Sequence, residues 1–187
     1  MSQRNAVYPA TVLQSRDPRG LGRLQVSVPA FDQKVWARRA TLLAGERRGA
    51  WFVPDAGDEV LVAFEGGDAR KPVVVGALWN ATERPPESNP ERTLLKTKHG
   101  ATIVFDDGTG GLEVTDSNGN AVKLAADGVT VTAAAKVSVS ASVVEISAGQ
   151  VLINSGLAKF SGIVQCDTLI TNSVVSSSYT PGAGNLM

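Results

Sequence analysis

From Val129 onward the odd positions read Val129, Val131, Ala133, Ala135, Val137, Val139, Ala141 and Val143, and most even positions are Thr or Ser. Fifteen residues of period-two alternation without Gly or Pro predict extended chain rather than helix. A strand of that length, at ~3.3 Å per residue, reaches roughly 50 Å. No sheet in a domain this small is so wide, so the strand bends at Ala134-Ala135 or winds around an axis. The phase of the alternation slips at Val143-Val144, then resumes through Val144, Ile146 and Ala148, and again at Val151 and Ile153. Gly128, Gly149, Gly156 and Gly162 are unevenly spaced, so no regular solenoid repeat of one chain is evident.

The segment around this pattern is almost uncharged. Residues 128–187 hold four charged side chains: Lys136, Glu145, Lys159 and Asp167. Low charge implies a buried surface, yet Val, Ala, Ser and Thr give the segment little bulk for a core of its own. A lone chain of this kind exposes long unpaired edges and an apolar face, which is an aggregation hazard. Identical chains wrapped on one another remove it: edges pair between copies, and the small inward residues fill a narrow common axis. The pattern alone does not set the number of copies.

The first half is different. Residues 1–93 hold 13 of the 18 Lys/Arg, 11 of the 18 Asp/Glu and all three tryptophans, Trp36, Trp51 and Trp79. Short runs rich in Val, Leu and aromatics predict strands at Ala6–Leu13, Gly22–Val28, Val35–Leu43, Glu59–Phe64 and Pro72–Leu78. Turn signals at Asp17-Pro18-Arg19-Gly20, Asp55-Ala56-Gly57-Asp58 and Gly66-Gly67-Asp68 separate them. Five short strands without a helical period suggest a small barrel, with the OB type a natural candidate. The stretch 81–93, with Pro85, Pro86, Pro90 and alternating charges, reads as a linker.

Counts of reactive residues exclude much chemistry. The single cysteine, Cys166, rules out an intrachain disulfide and a multi-thiolate zinc site, and the single histidine, His99, rules out a multi-histidine centre within one chain. Asp58-Glu59 and Asp106-Asp107 are neighbours on extended chain, so each pair points to opposite faces and makes no catalytic dyad. His99 reads as a surface or capping residue, Cys166 as a small buried hydrophobe. Gly20-Leu21-Gly22 lacks the third glycine and the helix of a dinucleotide fingerprint. No catalytic, cofactor-binding or metal site is expected, and the chain reads as a non-enzyme. The start is polar and no membrane-length apolar run follows, so synthesis in the cytoplasm without a signal peptide is expected. Net charge is zero, with 18 basic and 18 acidic residues, which argues against nucleic acid or anionic lipid as a partner. The alternative reading is an OB nucleic-acid-binding module with an oligomerising β-rich tail. It draws on Arg16, Arg19, Arg23, Lys34, Arg38, Arg39, Arg47 and Arg48, with Trp36 and Trp51 as stacking platforms.

Several separate motifs carry a resemblance. Gly57-Asp58-Glu59-Val60-Leu61-Val62-Ala63-Phe64-Glu65-Gly66-Gly67-Asp68, then Lys71-Pro72-Val73-Val74-Val75-Gly76-Ala77-Leu78-Trp79-Asn80, resemble the OB signature of phage baseplate protein V and VgrG-type spikes. The Tyr8-Pro9-Ala10 start, the hairpin from Asp17 to Val26, the run Lys98-His99-Gly100-Ala101-Thr102-Ile103-Val104-Phe105-Asp106-Asp107 and the turn Asp116-Ser117-Asn118-Gly119-Asn120 are similar to the same family, in order over roughly residues 6–155.

The resemblance implies an all-β chain: an N-terminal OB-type barrel followed by a homotrimeric intertwined β-helix, or β-prism, spike. The expected boundaries are 1–80 for the barrel, 81–93 for the linker, 94–175 for the triple-stranded β-helix and 176–187 for a tip segment. It implies the central spike of a contractile injection system, assembled into a tail-like particle, joining hub and tube to the tip and puncturing the target envelope. Gly57, Asp58, Glu59, Gly66, Asp68, Pro72, Gly76 and Asn80 are its structural signature, and the alternating set Val129 to Val143 is the expected trimer axis. The sequence carries no gp27-like hub domain, no inserted lysozyme domain and no His-x-His pair. A separate hub protein is therefore expected, as is a PAAR-like tip protein touching Tyr179, Pro181, Gly182, Gly184, Asn185, Leu186 and Met187.

Overall fold

The computed structural model of the chain describes residues 5–178. Tyr179, Pro181, Gly182, Gly184, Asn185, Leu186 and Met187, the expected tip contacts, lie outside the described residues. The elements are β1 (Tyr8–Gln14), β2 (Leu24–Val28), β3 (Gln33–Arg39), β4 (Ala44–Gly45), β5 (Arg48–Gly49), β6 (Glu59–Phe64), β7 (Pro72–Leu78), β8 (Arg92–Lys96), β9 (Thr102–Asp106), β10 (Gly111–Thr115), β11 (Ala121–Ala125) and β12 (Gly128–Thr132).

Five strands close a barrel in the order β1-β2-β3-β7-β6. All pairings are antiparallel except β3 with β7, which runs parallel and shuts the barrel. Alternation within the strands builds the core. Leu24, Val26 and Val28 of β2 and Val60, Val62 and Phe64 of β6 point inward, where they meet Ala10, Val12, Ala37 and Val74. Each fully buried aliphatic side chain contributes about 1.5–3 kcal/mol over its exposed state. Tyr8, Phe31 and Phe64 pack edge-to-face at one end, with ring centroids 4.7–6.0 Å apart. The expected five strands are all present. β3 starts at Gln33, earlier than the expected Val35, and ends at Arg39, where the chain leaves the barrel to form the β4–β5 hairpin.

The second sheet is an antiparallel meander in the order β12-β11-β10-β9-β8. It begins at Arg92, inside the stretch read as linker, because the Glu87 and Asn89 side chains organise the approach. The Glu87 carboxylate accepts the Ser88 and Asn89 backbone N–H groups, and the Asn89 carbonyl accepts the Glu91 N–H. These strands pair within one chain, so only the residues after β12 remain for winding around other copies. The long alternation from Val129 ends as a strand at Thr132, and the backbone turns sharply at Ala134-Ala135, the first of the two expected outcomes. The Asn120 side-chain amide oxygen holds this turn by accepting the Ala134 N–H at 3.0 Å. From Ala135 to Ser178 the chain belongs to no sheet, and every residue is exposed.

Candidate assembly surfaces

The signature residues of the barrel are architectural. Gly57 adopts φ +105° in the turn entering β6. Its N–H donates to the Val12 carbonyl while the Val12 N–H donates to the Asp58 carbonyl, both at 2.9 Å. The Asp58 carboxylate caps the Asp55 N–H at 2.8 Å. Gly66 takes φ +57°, which lets the chain turn toward Asp68. The Arg70 guanidinium and backbone N–H hold the Asp68 carboxyl down to about 2. Pro72 opens β7 opposite Phe64, and Gly76 faces Leu61 where the β6–β7 register shifts. The Asn80 side-chain Oδ1 accepts the Thr82 and Glu83 N–H groups, and its Nδ2 amide donates to Glu59 at 3.3 Å, fastening the end of β7. None of these side chains lines a cleft with a second reactive group.

One flank of the barrel carries arginines against tryptophans. The Asp17 carboxylate takes both Arg23 guanidinium bonds at 2.9 Å, and Arg23 lies 5.3 Å from the Trp36 ring centroid. Those bonds hold the Asp17 carboxyl well below the usual carboxylate range. Arg39 sits 4.8 Å from the Trp51 ring centroid and donates to the Phe52 carbonyl, and burial pulls its guanidinium below the ordinary value. Arg38 pairs with Glu65. An open cleft of about 900 Å³ lies beside them, lined by Gly22, Arg38, Arg39, Leu43, Arg48 and Trp51. Leu42, Trp51 and Phe52 are exposed on or beside the β4–β5 hairpin. Three of the eight basic residues of the alternative nucleic-acid reading are thus committed: Arg23 and Arg39 each cover one face of the tryptophans that would stack on bases, and Arg38 is paired with an acid.

The meander holds the clearest surface. Its registers align Leu95, Ile103, Val114, Val122 and Val131 in one row across all five strands. A second row reads Thr93, Phe105, Leu112, Leu124 and Val129. Residues two apart on a strand share a face, so both rows lie on one side of the sheet, and nine of its ten side chains are apolar. Phe105 is 48% exposed, Val129 69% and Val131 59%. The opposite face is mainly polar, with Arg92 opposite Asp106 and Glu113 opposite Lys123 beside a Leu94–Val104 pair. Arg92 Nε donates to Asp106 Oδ2 at 3.0 Å, which lowers the Asp106 carboxyl and raises the Arg92 guanidinium. A soluble sheet polar on one side and apolar on the other buries its apolar side somewhere.

Of the expected axis residues, Val129 and Val131 sit on this apolar face. Ala133, Ala135, Val137, Val139, Ala141 and Val143 follow β12 and have no strand partner within the chain. Leu95, Ile103, Phe105, Leu112, Val114, Val122 and Leu124 join Val129 and Val131 on this face, and no sequence motif singled them out as interface residues. Their signal was the alternation in Thr102–Asp106 and Gly111–Thr115.

Among the described residues, no group of three or more His, Cys, Asp or Glu side chains is placed to hold a metal ion. His99 is exposed in the turn between β8 and β9, and Asp106 is bound to Arg92 and the Thr109 N–H. No helix among those residues is long and apolar enough to cross a membrane. What the arrangement offers is docking surface.

Comparison with known proteins agrees with this division. Residues 8–79 match the type VI secretion system/phage-baseplate injector OB domain. Residues 92–157 match the phage baseplate V C-terminal trimerisation domain, which takes in the whole apolar face. The chain is 39% identical over 84 residues to the type VI secretion system spike protein VgrG2a of Pseudomonas aeruginosa, covering 41% of this chain and 10% of the relative. It is 35% identical over 87 residues to the spike protein VgrG3 of Vibrio cholerae, covering 41% of this chain and 9% of the relative. It is 36% identical over 66 residues to the actin cross-linking toxin VgrG1 of Vibrio cholerae, covering 34% of this chain and 6% of the relative. The chain therefore spans about a tenth or less of the length of these relatives.

Proposed function

Because this chain belongs to the baseplate V family of injector proteins, with an injector OB domain followed by a C-terminal trimerisation domain, we propose that it forms the homotrimeric central spike of a contractile injection particle. The spike joins the baseplate hub to the tip and punctures the target envelope. Its work is mechanical and needs no bond-making chemistry. The observation that carries this reading is the apolar face of β8–β12, which one chain leaves uncovered and which lies inside the trimerisation match. Three copies bury these faces against one another, and the nearly uncharged segment after β12 takes its own partners from the other copies. The barrels remain at the base, where the exposed Leu42, Trp51 and Phe52 and the neighbouring arginines support contact with a separate hub protein. A PAAR-like protein caps the far end.

Light scattering after size exclusion tests the assembly. The expected native mass is three times 19.5 kDa, and the trimer should survive cold SDS, because unfolding requires three chains to separate together. A soluble monomer at the same concentration would end the spike reading. For the location, an antibody raised against the barrel should label the baseplate end of purified particles, and labelling along the tube would overturn it.

A further inference from the structure

The chain after β12 has a hidden regularity. Its backbone turns sharply at Ala135, Ser142, Gly149 and Gly156, seven residues apart, then at Gly162, and then at Asp167, Asn172 and Ser177, five apart. Every corner residue is small or a turn former. Glycine spacing alone conceals the pattern, because Ala, Ser, Asp and Asn share the corners with Gly.

Counting from each corner sorts the side chains. The second residue after the corner is Val137, Val144, Val151, Ala158, Val164, Leu169 and Val174, aliphatic in every repeat. The fourth is Val139, Ile146, Ile153 and Phe160 in the first four. All four charged residues avoid both positions: Lys136 follows a corner by one, Glu145 and Lys159 by three, and Asp167 is itself a corner. The exposures separate in the same way within one chain. Large aliphatics at the second position are 54–71% exposed and the apolar side chains at the fourth are 65–72% exposed, whereas those at the first or third, Val143, Leu152, Leu157, Ile163, Ile170 and Val175, are 72–99% exposed. The second position is therefore on the concave side of the winding chain. An odd repeat also accounts for the phase slip at Val143-Val144, since alternation restarted every seven residues moves the inner set from odd to even numbers.

We infer that residues 135–176 form a corner repeat whose second and fourth positions line a common axis of three copies of this chain. The inner set runs Val137, Val139, Val144, Ile146, Val151 and Ile153, and continues to Val174. Val143, expected on the axis from simple alternation, faces outward, and Ala135 is a corner. The occupant of the concave side is the same surface of two further copies. Among the described residues, no backbone group of 135–178 bonds to another backbone group of its own chain. Extended backbone in that state takes its partners from neighbouring strands, and the trimerisation match reaches residue 157, well into the repeat.

The inference rests on the trimeric spike reading, and the test separates the two. Val143→Asp and Val144→Asp are compared by native mass, as are Ile170→Asp and Leu169→Asp in the five-residue section. Val144→Asp and Leu169→Asp should reduce the mass from three times to one times 19.5 kDa, because three carboxylates would crowd one dry axis. Val143→Asp and Ile170→Asp should remain trimeric. If the unmutated chain is itself a monomer, the spike reading fails. If it is a trimer but the two members of a pair behave alike or the reverse way, the repeat is overturned. A measurement on the unmutated chain guards against misfolding. Cys166 occupies a fourth position, so its maleimide labelling should be more than about tenfold slower in the trimer than in urea, as for a buried thiol. Equal rates would overturn its inward placement.

Discussion

The barrel and the meander are both five-stranded, both mostly antiparallel and both alternating, yet they solve burial in opposite ways. The barrel curls until β3 meets β7, and its inward set, from Ala10 to Val74, disappears into its own core. The meander stays open, and Phe105, Leu124 and Val129 remain on its surface. Composition does not separate the two, since Val, Leu and Phe serve in both. The difference is where the alternate face goes: closure removes edges and faces together, whereas an open sheet hands both to another molecule. A domain of the first kind is finished as a monomer, and one of the second kind is finished by assembly.

That contrast breaks most visibly at the apolar face. Val114→Asp or Leu124→Asp should reduce the native mass to that of one chain while tryptophan emission stays unchanged, because Trp36, Trp51 and Trp79 all lie before residue 80. A trimer that tolerates either substitution would mean that the face is covered some other way. The reciprocal change is Leu24→Ala in the closed core. It should cost about 2–5 kcal/mol, seen as an earlier urea midpoint of tryptophan emission, with the trimer intact in native buffer. Gly22→Ala is smaller: the residue has φ +70°, and a Cβ would come within 3.3 Å of the Trp51 ring. The left-handed conformation costs about 1–2 kcal/mol for a non-glycine residue, and thermal melting of the barrel should register it without a change of mass. The smallest effect is acid titration of the Asp116 turn between β10 and β11. Its carboxylate accepts the Asn118 and Asn120 N–H groups and side-chain amides, which lowers it from 3.8 to about 2. A lowered carboxyl stabilises the fold above its unfolded value and loses that contribution as pH falls through its folded value. Carbon-detected NMR should therefore find Asp116 ionised at pH 3, and a midpoint near 3.8 would show the turn unformed.

The barrel was legible because each strand carries its own alternation and is bounded by turn chemistry. Glu59–Phe64 and Pro72–Leu78 appear where the sequence puts them. The β4–β5 hairpin was not legible, since two-residue strands are too short to show a period. In the second half the alternation was plain, and its excess length already required a bend or a winding, of which the structure has the bend at Ala134-Ala135. Thr132 ends the strand because the Asn120 side-chain amide oxygen claims the Ala134 N–H, a contact fourteen residues apart that no local pattern announces. Val129 and Val131, expected on a trimer axis, belong to the apolar face of the meander. Their companions Ile103, Val114 and Val122 come from three other strands and meet only once the register is known.

The repeated spacing of the corners also makes length a counted quantity. Removing a whole repeat leaves every later side chain on its side, so the chain shortens by a full step and still mates with equally shortened copies. Removing one residue between corners moves the side chains before the next corner to the wrong side, as loss of Leu157 would carry Lys159 to the second position, and the count restarts beyond that corner. Change in such a chain is therefore permitted in units, and its gene should gain or lose reach as a ladder gains or loses rungs.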